Sequence, residues 1–262
     1  MVSEAVGSQL EALRALGKSH LEVAQYMVHA DGGALYGVDM VAIAILHRSL
    51  GLVRGFCSAL SDENYLCAAP LVRLQLDNLL RFYALFIVEK PHETAYQIFA
   101  GNPVRKQVDM NGRKMTDRYL VERLSEVLPW VRSVYEATSG FIHFSARHMF
   151  CSQGKVDEAN RSLEMQVSGK DIGIPDSARL EAIAGMIEIT KQVLRYVYGW
   201  AHTKDIARLA AAPPATLPLT GSTTRLDNWM KAVNLSCGGA SSPSPSGKLP
   251  NGPSPAEDRE AS

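Results

Sequence analysis

Cysteine is scarce in this chain and stands without pattern. The 262 residues hold four, Cys57, Cys67, Cys151 and Cys237, and none is spaced for a CxxC zinc site or a disulfide framework. Net charge is lacking as well, because 27 Lys and Arg balance 27 Asp and Glu. No global field therefore draws the chain to nucleic acid, and any such contact has to be local. Long apolar runs are also missing. The most apolar stretch is Val41 to Leu46, flanked by Asp39 on one side and by His47 and Arg48 on the other. A membrane span needs roughly 20 apolar residues, so none is expected. The opening MVSEAVGSQLEALRAL has no basic region leading into an apolar core, which speaks against a secretory signal. The expected setting is cytoplasmic, with free thiols and no membrane partner.

The common catalytic signatures are absent too. No glycine-rich loop ends in Gly-Lys-Ser/Thr, and Gly247-Lys248 is followed by Leu249. There is no HExxH, no GxSxG, no EF-hand loop and no recurring Glu-x-x-His. His143 and His148 stand five apart, so a regular helix would not aim both at one metal. Neither a metal nor a cofactor is expected.

What is present is a helical pattern. With 46% hydrophobic and 21% charged residues, the composition is that of a folded soluble domain. Helices are predicted over 3–29, 38–60, 63–89 and 92–100. Asp31-Gly32-Gly33 stops the first, and Ser61-Asp62-Glu63 opens the third. Pro70 is expected to kink or split that third helix, and Pro91 to end it. An irregular stretch follows from Gly101 to about Met115. Thr116 then caps a helix through Leu128, Pro129 opens another to about Phe150, and Pro175-Asp176-Ser177 begins the last, to about Leu209. Leu163, Met165 and Val167 alternate with polar residues and suggest a short extended segment. No βαβ alternation appears. The expected fold is an all-α antiparallel helical bundle over 1–210, because short turns place neighbouring helices antiparallel. From 211 to 262 the chain turns Pro-, Ser- and Gly-rich and is expected to be a disordered tail. Within it, Leu226, Trp229, Met230 and Val233 recur at helical spacing over 223–235. That is either a short helix docking on the body or a peptide through which Trp229 and Met230 meet a protein partner.

Three constellations carry chemistry. Arg73, Asp77 and Arg81 fall at i, i+4 and i+8 in LVRLQLDNLLRFYALF, on one helical face amid leucines. They form either an ion-pair ladder that also bonds a neighbouring helix, or the lining of a polar cleft. Tyr135, Ser139, His143 and Arg147 would align on a helix running through to Phe150. A hydroxyl, an imidazole that titrates near neutral pH and a fixed guanidinium on one line are what a metal-independent phosphodiester cleavage requires. The other reading is a histidine hydrogen-bonded at a helix interface. The third set is Arg105, Lys106, Arg113 and Lys114, with Asn111-Gly112 as a tight turn that would present the last two. They are either a solvated surface or a phosphate-contacting loop.

The segments LVRLQLDNLLRF, GRKMTDRYLVE and SGFIHFS, within roughly residues 40–200, resemble a bacterial family of helical proteins similar to the HEPN superfamily. The resemblance implies a helical bundle that dimerises. It also implies, for many members, metal-independent ribonuclease activity in stress or antiphage defence. The catalytic signature there is an Arg followed four to six residues later by a His on one helix. This chain departs from it: Arg132 lies too far before His143, and Arg147 follows His143. On that reading His143 is the general acid/base, Arg147 and Ser139 line the phosphate site, and Arg105, Lys106, Arg113 and Lys114 contact the RNA backbone. The alternative is a non-enzymatic interaction or dimerisation module.

Overall fold

The structure is a computed structural model, and it describes residues 3–171 and 173–210. The chain divides into two units, Met1–Thr220 and Gly221–Ser262, and every described residue belongs to the first. The segment 223–235, with Trp229 and Met230, lies outside the described residues.

Eight α-helices account for most of the described chain: α1 (Glu4–His29), α2 (Gly37–Ser61), α3 (Tyr65–Ala84), α4 (Pro91–Phe99), α5 (Asp117–Ser125), α6 (Trp130–Ser139), α7 (Ala146–Cys151) and α8 (Asp176–Ala210). The fold is thus mostly helical rather than purely α. A two-stranded antiparallel sheet, β1 (Gln153–Asp157) with β2 (Ser162–Met165), stands between α7 and α8. Its register pairs Val156 with Leu163 and Asp157 with Ser162.

Local chemistry sets the helix ends. The Ser3 hydroxyl accepts from the Val6 N–H at the start of α1, and Asp31, Gly32 and Gly33 stop it with φ of 54°, 65° and 88°. The expected start of α3 at Ser61 is displaced. Glu63 takes a positive φ of 55°, and Asn64 caps the helix by accepting from the Cys67 N–H. Pro70 does not split α3. It costs one bond, to the Leu66 carbonyl, within the first two turns, and the helix runs on to Ala84.

The core lies between α1, α2, α3 and α8, each packed on the next in a closed ring. The direction of the last helix corrects the antiparallel expectation. Helices α1, α2 and α3 alternate, since Arg14 of α1 meets Ser61 at the end of α2, and along α2 Arg48 meets Asn78 while the later Gly55 lies beside the earlier Leu71. Helix α8 runs parallel to both of its neighbours. Its early part meets early α3 (Gly185 beside Val72) and its later part meets late α3 (Tyr196 beside Tyr83). Along α1, Tyr26 stacks on Tyr198, and Met27 accepts from Lys204. The chain between α3 and α8 is long enough to return to the starting end, so the short-turn rule stops applying there.

Among the described helices, α2 is the one long and apolar enough to cross a membrane. Here it lies against α1, α3, α4 and α8. Close approach fixes its entry, where a Cβ on Gly37 would stand 2.9 Å from the His92 carbonyl oxygen.

Candidate functional site

The α3 constellation assembles. Asp77 bonds Arg81 at 2.9 Å and Arg48 of α2 at 3.1 Å. Arg81 also bonds Asp117 at the start of α5, and Arg73 lies 3.6 Å from the same carboxylate. The Arg73 guanidinium stacks over the Tyr135 ring at 4.2 Å. The ladder therefore reaches α2, α5 and α6.

It continues into the core as a chain of side chains the sequence did not announce. Arg48 donates to Asn78 at 2.7 Å, and Asn78 donates to the Gln75 side-chain Oε1 at 3.1 Å. The Gln75 amide donates to Ser49 at 2.6 Å and to Thr190 of α8 at 3.0 Å. Ser49 lies 2.8 Å from His20 Nε2, while His20 Nδ1 lies 2.8 Å from the Leu16 carbonyl. A carbonyl only accepts, so Nδ1 carries the proton and Ser49 donates to Nε2. Ser49, Gln75 and Thr190 are fully buried, which denies this serine–histidine pair any substrate. Its trace in the sequence is slight: Ser49 and Gln75 are polar residues set among apolar ones in VAIAILHRSLGLV and LVRLQLDNLL, where His47, Arg48, Arg73, Asp77 and Asn78 are polar as well.

Burial holds the His20 imidazole below its ordinary 6.5, against the smaller upward pull of the Leu16 carbonyl. The unfolded chain therefore takes up this proton first as pH falls. The contribution of neutral His20 is complete above pH 6.5 and declines as pH drops from there toward the lowered native value. Urea midpoints measured down this range are expected to fall, and His20→Gln is expected to flatten that slope. Equal slopes would remove His20 as the cause.

A second buried centre sits where α1 and α8 end and α2 begins. Asp39 and Lys204, both 1% exposed, pair at 3.0 Å. Asp39 also accepts from Trp200 Nε1 at 2.6 Å and from the Tyr36 N–H at 2.7 Å. Lys204 donates to the Met27 carbonyl in the last turns of α1 and lies over the Tyr36 ring. Every polar group named in this centre is thus engaged by another.

The predicted stripe of Ser139, His143 and Arg147 does not form, because the helix expected through Phe150 breaks. The Thr138 and Ser139 hydroxyls donate back to the Val134 and Tyr135 carbonyls, each at 2.6 Å. Helix α6 ends there, and Ser145 starts α7 by accepting from the Arg147 N–H and donating to the Gly140 carbonyl. His143 is exposed on the intervening turn. Arg147 folds back on Gly140, where a Cβ would stand 2.9 Å from its Cδ, and lies over the Phe141 ring at 5.2 Å. No hydrogen bond joins any two of the three among the described residues. The histidine held in this segment is His148, which stacks on Phe144 and accepts at Nδ1 from the Ser145 N–H at 3.2 Å. Tyr65 meets the Phe141 ring edge-on, and burial first and the Glu181 carboxylate next push its phenol up to about 12.

The basic loop is tied across by hydrogen bonds. Val108 pairs with Lys114, and Asp109 N–H donates to the Arg113 carbonyl at 2.9 Å. The buried Asp109 carboxylate accepts from Tyr119 and from the backbone N–H of Asn111 and Arg113. Burial pushes this carboxyl up, and those hydrogen bonds outweigh it and hold it below the usual aspartate value. Arg105, Lys106, Arg113 and Lys114 are all exposed, and none is in an ion pair among the described residues. Among the described residues, no three His, Cys, Asp or Glu side chains gather as metal ligands.

Comparison of the chain with protein-family models, with characterised proteins and with solved structures finds no match.

Proposed function

We propose that this chain is a non-enzymatic interaction module that pairs with a second copy of itself through the arm between α6 and α8. One observation carries the reading: the apolar surface of that arm is uncovered. Ile142, Phe144, Met149, Val156, Leu163, Met165 and Val167 are all exposed, Phe144 at 83%. An isolated two-stranded hairpin is marginal in water, and no described helix packs along this one. No third strand pairs with either edge among the described residues. Leu163 and Met165 share one face of β2, with Val156 opposite Leu163. Antiparallel pairing of β2 with its own copy about a two-fold axis would use one row of backbone groups twice and join the two apolar faces.

The wild-type chain is expected to sediment at twice its 28.6 kDa mass in the micromolar range. Leu163→Lys with Met165→Lys is expected to give a monomer with unchanged far-UV circular dichroism. A monomeric wild type would overturn the reading. The competing reading is a HEPN-like bundle cutting RNA without metal, which needs His143, Arg147 and Ser139 to converge. It is tested in the same preparation, by RNA cleavage in EDTA. Cleavage lost in His143→Ala would replace the interaction reading with catalysis, and no cleavage by the folded wild type supports the module.

A further inference from the structure

Helices α1 and α2 leave a cleft between them of about 330 Å³, lined by Arg14 and Gly17 of α1 and by Leu50, Val53, Arg54 and Cys57 of α2. The four α2 residues fall at i, i+3, i+4 and i+7, on one face of the helix. Val53 and Cys57 are buried and Leu50 is half-buried, and these three make the apolar side of the cleft. Burial pushes the Cys57 thiol up, against the smaller downward pull of Arg14, so the sulfur stays neutral and belongs to that side. Gly17 keeps the cleft open from the opposite wall. A Cβ there would stand 3.5 Å from Leu50 Cδ1, an ordinary contact, so packing does not demand glycine. Glycine is a weak helix former, and what it gives α1 at this point is space.

Two guanidiniums stand at this cleft in different states. Arg14 is held, donating to Glu11 at 2.5 Å and to Ser61 at 2.9 Å. Arg54 is exposed, and its side chain has no ion pair or hydrogen bond among the described residues. A guanidinium stays charged at any ordinary pH and offers a planar fork of donors, so Arg54 sets an uncompensated cation at the edge of an apolar wall. The ligand that fits has both characters. An inorganic anion would meet the charge and leave the apolar side wet. A neutral apolar molecule would cover that side and strip water from the guanidinium without replacing it. A carboxylate on a short apolar chain does both: its two oxygens accept from the Arg54 fork, and its chain lies along Leu50, Val53 and Cys57. The volume suits a small molecule, at the lower end of the roughly 300–1,000 Å³ such sites span. A protein partner would enter it with a single side chain.

We infer that the cleft between α1 and α2 binds a small amphipathic carboxylate, held by Arg54, with Arg14 adding positive potential beside it and Leu50, Val53 and Cys57 covering its chain. None of the lining residues belongs to the self-pairing arm, and a monomeric chain would bind alike. The probe is octanoate, titrated calorimetrically into the full chain below the concentration at which it forms micelles. One site per chain is expected, with acetate and octanol each weaker by about tenfold or more, since each lacks one of the two contacts. Arg54→Met keeps the aliphatic stem and removes the charge. It is expected to weaken octanoate by about tenfold and to leave octanol unchanged. Gly17→Leu fills the cleft from the other wall and is expected to abolish binding, while its melting temperature holds or rises because leucine favours the helix. Arg54 is exposed, so its variant tests the site even if Gly17→Leu were to fold poorly, which circular dichroism checks. Three results would overturn the inference: no binding of octanoate, octanol or acetate bound as tightly as octanoate, or octanoate affinity unchanged in a folded Arg54→Met or Gly17→Leu. The last would move the binding to another apolar surface, such as the exposed arm.

Discussion

Lys204→Met will lower the free energy of unfolding by about 3–5 kcal/mol, the range seen when one partner of a buried ion pair is removed. Methionine fills much of the same volume, so the loss is not one of packing. Asp39 is left at 1% exposure with its charge uncompensated, holding only the Trp200 indole and the Tyr36 N–H. The Met27 carbonyl loses its donor at the same time. Urea unfolding followed by circular dichroism measures the effect. Asp39→Asn combined with Lys204→Met is expected to recover a large part of the loss, because the stranded charge is gone. A single-variant loss below about 1 kcal/mol would mean that water reaches the carboxylate.

Gln75→Leu is the second large effect, about 3 kcal/mol, and its origin is different. The volume is again conserved, but one amide is the meeting point of three others. Without it Ser49 and Thr190 lose a donor and Asn78 loses an acceptor, in a place with no water to replace them. Each stranded buried polar group costs about 1–3 kcal/mol, and partial rearrangement of the hydroxyls keeps the total near the lower sum. A double-mutant cycle with Ser49→Ala separates network from volume. Clear non-additivity is expected, and simple additivity would show that the two side chains act apart.

How far the sequence announces this molecule depends on the kind of signal. Asp31-Gly32-Gly33, Thr116 and Pro175-Asp176 mark helix ends through local chemistry, and those ends fall where expected. The break after Ser139 was hidden because Phe141, Ile142 and Phe144 extend the apolar pattern. Two hydroxyls bond back to the helix there and weaken its last turn, a competition that the apolar pattern does not record. Strand β1 carries one apolar residue, Val156, and gives period-2 analysis nothing to detect. The direction of α8 is set by where the long return delivers the chain, which no window of residues records. The Arg73–Asp77–Arg81 face was visible in its spacing, and its partners Arg48, Asp117 and Tyr135 were not. Spacing names neighbours along a helix, whereas His20, Ser49, Gln75 and Thr190 meet only once four helices have packed.

That meeting has a consequence for which bundle forms. Leucine-rich helix faces are nearly indifferent to a slide of one turn, about 5.4 Å, because one apolar contact replaces another. Hydrogen bonds among an imidazole, two hydroxyls and an amide tolerate no such slide. A displaced α1, α2, α3 or α8 would trade a satisfied contact for an orphaned one in a dry interior. Here α8 arrives late, after a long detour, and must choose its height against α1 and α3 with no short loop to dictate it. Thr190 meeting Gln75 holds that height midway along α8, and Trp200 and Lys204 meeting Asp39 hold it again farther on, as two latches hold a sliding door.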